Sequence, residues 1–249
     1  MPGPPPSLGG VLEVSTDPPG LLDPVLPAAW DPTLPTPDGL AALVQSARTA
    51  GVSTLVVAAH PCDEATEALL SDAGFTCMRE MLQLRRPLPA APPTPDVEVR
   101  PFDEARDRTR WLEVNRRAFA WHPDQGHWTG DDLDRRLGES WFDPAGFLVH
   151  DGPDDTGIDA FCWTKVHPAT ADEPAQGEIF VIAVDPDAHG GGLGRAMVLA
   201  GLDHLHRAGL RSAMLFVEAD NAVGRHLYDS LGFLPHDTYR WYRRDLHPS

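Results

Sequence analysis

The chain has 249 residues with 37 acidic against 20 basic side chains, a formal net charge of −17 at pH 7. That balance argues against a nucleic-acid or anionic-membrane surface. Three cysteines, Cys62, Cys77 and Cys162, are odd in number and lack metal-ligand spacing, which points to reduced thiols in a cytoplasmic protein with no metal. Arg48 is the first basic residue and no long apolar run precedes it, so no signal peptide or membrane span is expected. The length suits one full domain plus part of another, and a monomer is expected.

Residues 1–37 are crowded with proline, from Pro4-Pro5-Pro6 to Pro35 and Pro37. Such a lead is irregular, with room for one short edge strand at Val11 to Val14. Asp38 or Thr36 then caps a helix that ends before Gly51, and Ser53 to Ala59 reads as a buried strand. A second helix runs from Glu64 to Ala73 and stops at Gly74, before a strand around Cys77 to Leu84. Ala50-Gly51-Val52 and Leu69 to Phe75 recur as Ala208-Gly209-Leu210 and Leu227 to Phe233. One constant offset relates both pairs, which predicts a duplication. The same offset carries Gly190 to Gly194 onto Pro32 to Thr36, and Tyr228 onto Leu70. Residues 38–86 therefore read as a truncated, degenerate half-lobe, followed by a proline-rich linker at 87–96.

The working domain spans 97–249. Its predicted elements are a strand at Val97 to Arg100, a helix at Ala105 to Phe119, and a helix at Asp131 to Gly138 capped by Thr129 or Asp131. A hairpin follows, Phe147 to His150 and Asp159 to Val166, across the Asp151-Gly-Pro-Asp-Asp turn. Glu178 to Val184 is short, β-branched and apolar on both faces, as a strand covered on both sides should be. Leu193 to Ala208 is helical, Ala213 to Glu218 a strand, 221–231 a helix, and Thr238 to Arg243 a last strand.

Between the strand at Glu178 and the helix at Leu193 lies Asp185-Pro-Asp-Ala-His-Gly-Gly-Gly-Leu-Gly-Arg195. Glycines at 190, 191, 192 and 194 let the backbone adopt positive φ and turn its N–H groups inward, and the helix adds the positive end of its dipole. Such a turn holds a phosphate or pyrophosphate; the alternative is an ordinary glycine-rich connection. A Walker loop requires Gly-Lys-Ser/Thr, whereas Arg195 and Ala196 follow Gly194. A dinucleotide fingerprint belongs on an early strand, and this turn is late.

His189-Gly190-Gly191-Gly192-Leu193-Gly194 resembles the acetyl-CoA turn of the GNAT acetyltransferases, Gln/Arg-x-x-Gly-x-Gly/Ala, with His in the first position. The order β-α-α-β-β-β-α-β-α-β also resembles that α/β fold. The resemblance implies acetyl transfer from acetyl-CoA to a small-molecule amine. An alkylammonium must lose a proton before attack, and a departing thiolate gains by receiving one. Glu178, at the start of the strand leading into the turn, is the candidate base; the alternative is a solvated strand-end carboxylate. Tyr228, two helical turns after Asn221 and at the border of the Leu227/Leu231 stripe, is the candidate acid; the alternative is a core aromatic. A strand bulge near Ile182 to Val184 is expected to splay an N–H toward the developing oxyanion. The thioester is then expected between carboxylate and phenol on one side of the sheet.

Ala118-Phe119-Ala120-Trp-His122-Pro123-Asp124-Gln125-Gly126, Trp141-Phe142-Asp143-Pro144, Trp163-Thr164-Lys165-Val166-His167-Pro168, Gly177-Glu178-Ile179-Phe180-Val181 and Phe216-Val217-Glu218-Ala219-Asp220-Asn221 resemble the mycothiol synthase family. Those enzymes acetylate the cysteinyl amine of cysteinyl-glucosaminyl-inositol. The resemblance implies acceptor binding by Asp124, Lys165 and Glu178, with Glu178 also the base and Tyr228 the acid. It implies acetyl-CoA binding by Ile182, Ala183 and Val184, by His189, Gly190, Gly191, Gly192, Leu193, Gly194 and Arg195, and by Asn221, Ala222, Val223, Gly224, Arg225 and His226. Asp124 is alternatively a loop-capping carboxylate, and Lys165 a strand lysine with its head in water. Phe216 stands at an acceptor position where the family usually carries Tyr, Gly191 where it commonly carries Arg, and His189 where it commonly carries Gln.

Overall fold

The computed structural model describes residues 11–15, 36–60, 62–90, 97–120, 125–153, 157–171 and 173–246. Most of the proline-rich lead and residues 91–96 of the linker lie outside them. Side-chain caps set where the helices begin. Thr36 accepts from the Gly39 N–H ahead of α1 (Pro37–Thr49), and Asp63 accepts from the Thr66 N–H ahead of α2 (Glu64–Asp72). Asp103 caps α3 (Glu104–Ala118), and Thr129 with Asp132 forms a reciprocal capping box at α4 (Gly130–Leu137). Each such bond satisfies an N–H that the first turn of a helix leaves unpaired.

The strands are β1 (Val11–Ser15), β2 (Thr54–His60), β3 (Thr76–Pro87), β4 (Arg100–Pro101), β5 (Phe147–Asp151), β6 (Ile158–His167), β7 (Gln176–Val184), β8 (Ser212–Glu218) and β9 (Leu234–Asp245), with α5 at Leu193–Arg207 and α6 at Ala222–Ser230. From β4 onward the order is the expected β-α-α-β-β-β-α-β-α-β. The strand expected at Val97 to Arg100 is instead confined to Arg100–Pro101. Pro101 has no N–H to donate, and the Glu98 carbonyl bonds the His150 ring (2.8 Å). None of the helices among the described residues is long and apolar enough to cross a membrane.

The chain forms two units, one of residues 1–83, 217–225 and 235–249, the other of residues 84–216 and 226–234. In the first, strands run in the order β1-β2-β9-β3, and β2 pairs antiparallel with β9 from Thr54↔Asp245 to Ala59↔Arg240. Leu40, Val44 and Ala47 of α1 and Leu70 of α2 close over Leu55, Val57, Ala59, Phe75 and Tyr242.

In the second unit the order is β8-β7-β6-β5-β4. Helix α5 lies so close to one face that a Cβ at Gly201 would stand 2.6 Å from Cys162 Sγ and 2.8 Å from Ile179 Cδ1, and one at Gly177 2.7 Å from Leu205. A side chain at either position would force these neighbours to shift. On the other face Trp111 of α3 packs against Phe147, Phe161 and Trp163 at 5.3–6.1 Å between ring centroids, all four rings fully buried. Apolar burial of this kind is the main stabilising term for the domain.

The bounds of β2 and β8, of α2 and α6, and of β3 and β9 are each separated by the offset that relates Gly51 to Gly209. Within the first unit Arg244 lies 5.9 Å from the Phe75 ring and donates to the Ala73 carbonyl. Within the second, Arg86 lies 5.8 Å from the Phe233 ring and donates to the Leu231 carbonyl. The two arginines stand at the same offset as their partners, so each phenylalanine at a helix stop is covered by the arginine of the other half's last strand.

Asp107 is fully buried and binds Arg100 through two hydrogen bonds (2.6 and 2.8 Å) and the Asp103 N–H (2.8 Å). Burial alone would raise its pKa, but the Arg100 hydrogen bond, the Asp103 amide and the charges of Arg100 and Arg106 outweigh it and hold the carboxyl below its usual value. A depressed folded-state pKa contributes stability that is present above the unfolded pKa and lost as pH falls through the folded one. Asp107→Asn should therefore cost about 3 kcal/mol at pH 7, read from denaturant midpoints. The difference from wild type should shrink below about pH 4.

Candidate functional site

Strand β7 carries the site, and its two edges are paired differently. Toward β6 the antiparallel ladder runs from His167↔Gln176 to Ala160↔Val184. Toward β8 the parallel register is Gly177↔Ala213 and Glu178↔Met214. The two inner strands thus part company after Glu178, while β7 remains anchored on its other edge. The bulge expected near Ile182 to Val184 lies earlier: the β6–β7 register shifts between Trp163 and Thr164, leaving Phe180 as the extra residue opposite them. The cause is packing, because Phe180 turns into the aromatic cluster with Trp141 (4.9 Å) and Trp163 (5.6 Å).

The turn after β7 is held from α3. Arg117 pairs with buried Asp185 (Nη1 to Oδ2, 3.0 Å) and with Asp187, and Asp185 also accepts from the Asp187 N–H (2.9 Å). Beyond it Gly190, Gly191 and Gly192 all take positive φ (+104°, +61° and +83°), and a Cβ at any of the three would meet nothing within 4 Å. Backbone conformation, with space left open above it, is what demands glycine here. Gly192 precedes α5 with no side-chain cap. The Leu193 and Ala196 N–H groups bond within the turn (3.4 and 3.0 Å to Gly190 and Gly192 carbonyls). Those of Gly194 and Arg195 have no backbone acceptor among the described residues, as the first turn of a helix dictates. Open space, inward amides and a helix N-terminus fit a diphosphate group.

His189 is exposed and its ring Nε2–H donates to the Val184 carbonyl (3.1 Å), so it ties the turn to the end of β7. Arg195 donates to Ser230 Oγ (2.8 Å), joining α5 to α6. Ala183 is buried, with Ile182 and Val184 half-buried on either side, and Leu193 is half-buried.

Glu178 is no solvated strand end. Its side chain is 7 % exposed, it stands opposite Lys165 in the ladder, and its Oε2 lies 2.6 Å from His167 Nε2. The Lys165 ammonium sits 4.8 Å from the centre of Trp141 and 5.3 Å from that of Phe180, held by cation–π attraction rather than directed into water. His167 was not picked out as a site residue from the sequence.

Tyr228 meets Phe233 edge to face (5.9 Å). Burial, reinforced by nearby Cys162, pushes its hydroxyl well above the usual phenol range, and that hydroxyl bonds no protein group among the described residues. Cys162, buried under α5, has its thiol pushed up to about 12 by the same desolvation. Tyr228 and Glu178 do not share a side of the sheet. Ile179 and Cys162 point at α5, so strand alternation sends Glu178, with Lys165 and His167, to the opposite face, while α6 and Tyr228 lie alongside α5. The one-sided arrangement expected from sequence is corrected by this pleat.

Asn221 caps α6, accepting from the Gly224 N–H (2.9 Å), and Arg225 donates to the Ala219 carbonyl (2.7 Å). Asp63 makes the same kind of cap on α2, accepting from the Thr66 N–H (2.8 Å), so Asn221 has a structural role regardless of ligand. Ala222, Val223 and His226 are exposed and Phe216 half-buried. Asp124 lies outside the described residues. The segment after it is fixed by a buried pair: Asn115 donates to the Gln125 carbonyl (2.7 Å), and the Gln125 amide donates back to Asn115 (2.9 Å).

A sequence model of the Acetyltransferase (GNAT) family matches residues 98–233. The mycothiol acetyltransferase of Kocuria rhizophila is 46% identical over 183 residues, covering 70% of this chain and 60% of that protein. That of Rhodococcus opacus is 45% identical over 198 residues, 77% of this chain and 65% of that protein. The chain thus spans about 60% of the length of such relatives. The crystal structure of a GCN5-related N-acetyltransferase from Sphaerobacter thermophilus superposes with a TM-score of 0.59 at 21% identity, over 75% of this chain and 58% of that one. Glycine turn, parted strands and matched span together place the chain in the GNAT acetyltransferase family.

Proposed function

We propose that this chain transfers an acetyl group from acetyl-CoA to the cysteinyl amine of cysteinyl-glucosaminyl-inositol, the last step in making mycothiol. The observation that carries the proposal is a buried carboxylate, Glu178, on the strand that runs into an open, positive-φ glycine turn. Similarity to the mycothiol acetyltransferases named above supports the choice of acceptor.

Acetyl-CoA supplies the activated thioester. Gly190 to Arg195 hold its diphosphate on backbone N–H groups at the start of α5, and the Ile182 to Val184 backbone lines its arm beside the parted β8. The family resemblance assigns Asn221 to His226 to acetyl-CoA as well. On the far face Lys165 donates to acceptor hydroxyls, Asp124 accepts from them, and Glu178 removes a proton from the acceptor ammonium. Tyr228, kept protonated by desolvation, gives its proton to the departing sulfur from the α5 side. The carboxylate and phenol then act from opposite faces, through the interval where the β7–β8 ladder stops. An N–H near Ile182 to Val184 faces the charge that develops between them.

A second reading is a GNAT enzyme for another small amine. Phe216 lacks the hydroxyl expected at an acceptor position, and Gly191 and His189 bring no fixed positive charge to the turn. We also propose that the half-lobe at 38–86 arose by duplication, having lost glycine turn and phenol.

Glu178→Gln should lower kcat by about 10²–10³-fold with acetyl-CoA affinity nearly kept; unchanged turnover removes Glu178 as the base. Tyr228→Phe should slow kcat by about 10²-fold, with KM for both substrates little moved. Steady-state rates on cysteinyl-glucosaminyl-inositol and on simple amines separate the two readings. A kcat/KM at least about 10²-fold higher for the former is expected, and equal values would leave only the broader enzyme.

A further inference from the structure

Reading Glu178 as a base leaves one of its contacts without a role. His167, the last residue of β6, brings Nε2 to 2.6 Å from Glu178 Oε2. Its own ladder partner is Gln176, and that of Glu178 is Lys165, so the bond runs diagonally across the ladder. The His167 side chain is 35% exposed and that of Glu178 7%. Glu178 Oε1 takes no hydrogen bond among the described residues. The carboxylate is therefore withdrawn from water, gripped through one oxygen and open at the other.

A buried carboxylate left to rotate would present its lone pairs in several directions, and most of them are unproductive for taking a proton from a given amine. One short N–H···O⁻ bond from a ring on the neighbouring strand removes that freedom, as outer-shell partners do for other reacting groups. The anchor is firm, because β6 and β7 are paired along the whole length between Ala160 and His167. Lys165 cannot substitute, since its ammonium is turned onto Trp141 and Phe180.

We infer that His167 is a positioning residue for Glu178: its Nε2–H, donated to Oε2, orients the carboxylate so that Oε1 meets the acceptor amine. This rests on Glu178 being the base. The ring itself need neither gain nor lose a proton during the reaction; the amine proton goes to Oε1.

The test is steady-state kinetics of His167→Ala, His167→Gln and Glu178→Gln with acetyl-CoA and the better acceptor of those compared above. His167→Ala should lose about 10- to 100-fold in kcat, with KM for acetyl-CoA within about two-fold. His167→Gln, whose amide N–H reaches toward the same oxygen, should recover to within about five-fold of wild type. If His167→Ala does not fold, His167→Asn, which is too short to reach Oε2, takes its place with the same expected loss. Wild-type kcat in the short variant, or a folded His167→Gln as slow as it, would overturn the inference. Full turnover in Glu178→Gln is a separate result that removes the base itself.

Discussion

A strand paired on both edges has no amide to spare for a ligand, and β7 meets this constraint by keeping one edge and surrendering the other. Its antiparallel ladder with β6 runs to Val184, whereas its parallel register with β8 is confined to Gly177 and Glu178. Everything proposed for the site follows from that parting. Glu178 marks the last paired position, the glycine turn begins where the strand ends, and two ligands can meet between faces that a continuous sheet would keep apart. Arg117, reaching from α3 to Asp185, holds the turn, and the aromatic cluster around Trp163 keeps the β6 side rigid.

Much of this was legible in the sequence because it is written in local chemistry. Thr36 and Thr129 announce helix starts, Gly190 to Gly192 announce positive φ, and the apolar run before them announces a buried strand. Contacts that depend on register were not legible. His167 reaches Glu178 only because the antiparallel register of β6 on β7 brings the two side chains together diagonally across the ladder, and no spacing rule links those two positions. Nor could composition show that Phe180 would take the bulge, since Trp141, its packing partner, comes from a loop far upstream. The opposed faces of Glu178 and Tyr228 follow from the pleat, which becomes countable only once the bulge is located. The strand expected at Val97 shortened for a reason visible in hindsight, Pro101.

The two stretches related by the constant offset illustrate how fold and site separate. Asp63 and Asn221 make the same helix cap, and Gly74 and Gly232 stop the following helix with the same positive φ. Arg244 and Arg86 cover the phenylalanine after each stop. These features serve the backbone and occur in both halves. The glycine run and Tyr228 occur in one, which is why they carry the chemical argument and the caps do not.

The most direct test of the central claim is a titration of the protein with CoA followed by backbone amide resonances. The largest shifts should fall on Gly192, Gly194 and Arg195 at the mouth of α5 and on Ile182 to Val184 beyond the parted ladder. Binding that leaves those amides unmoved, or no binding at all, would contradict it.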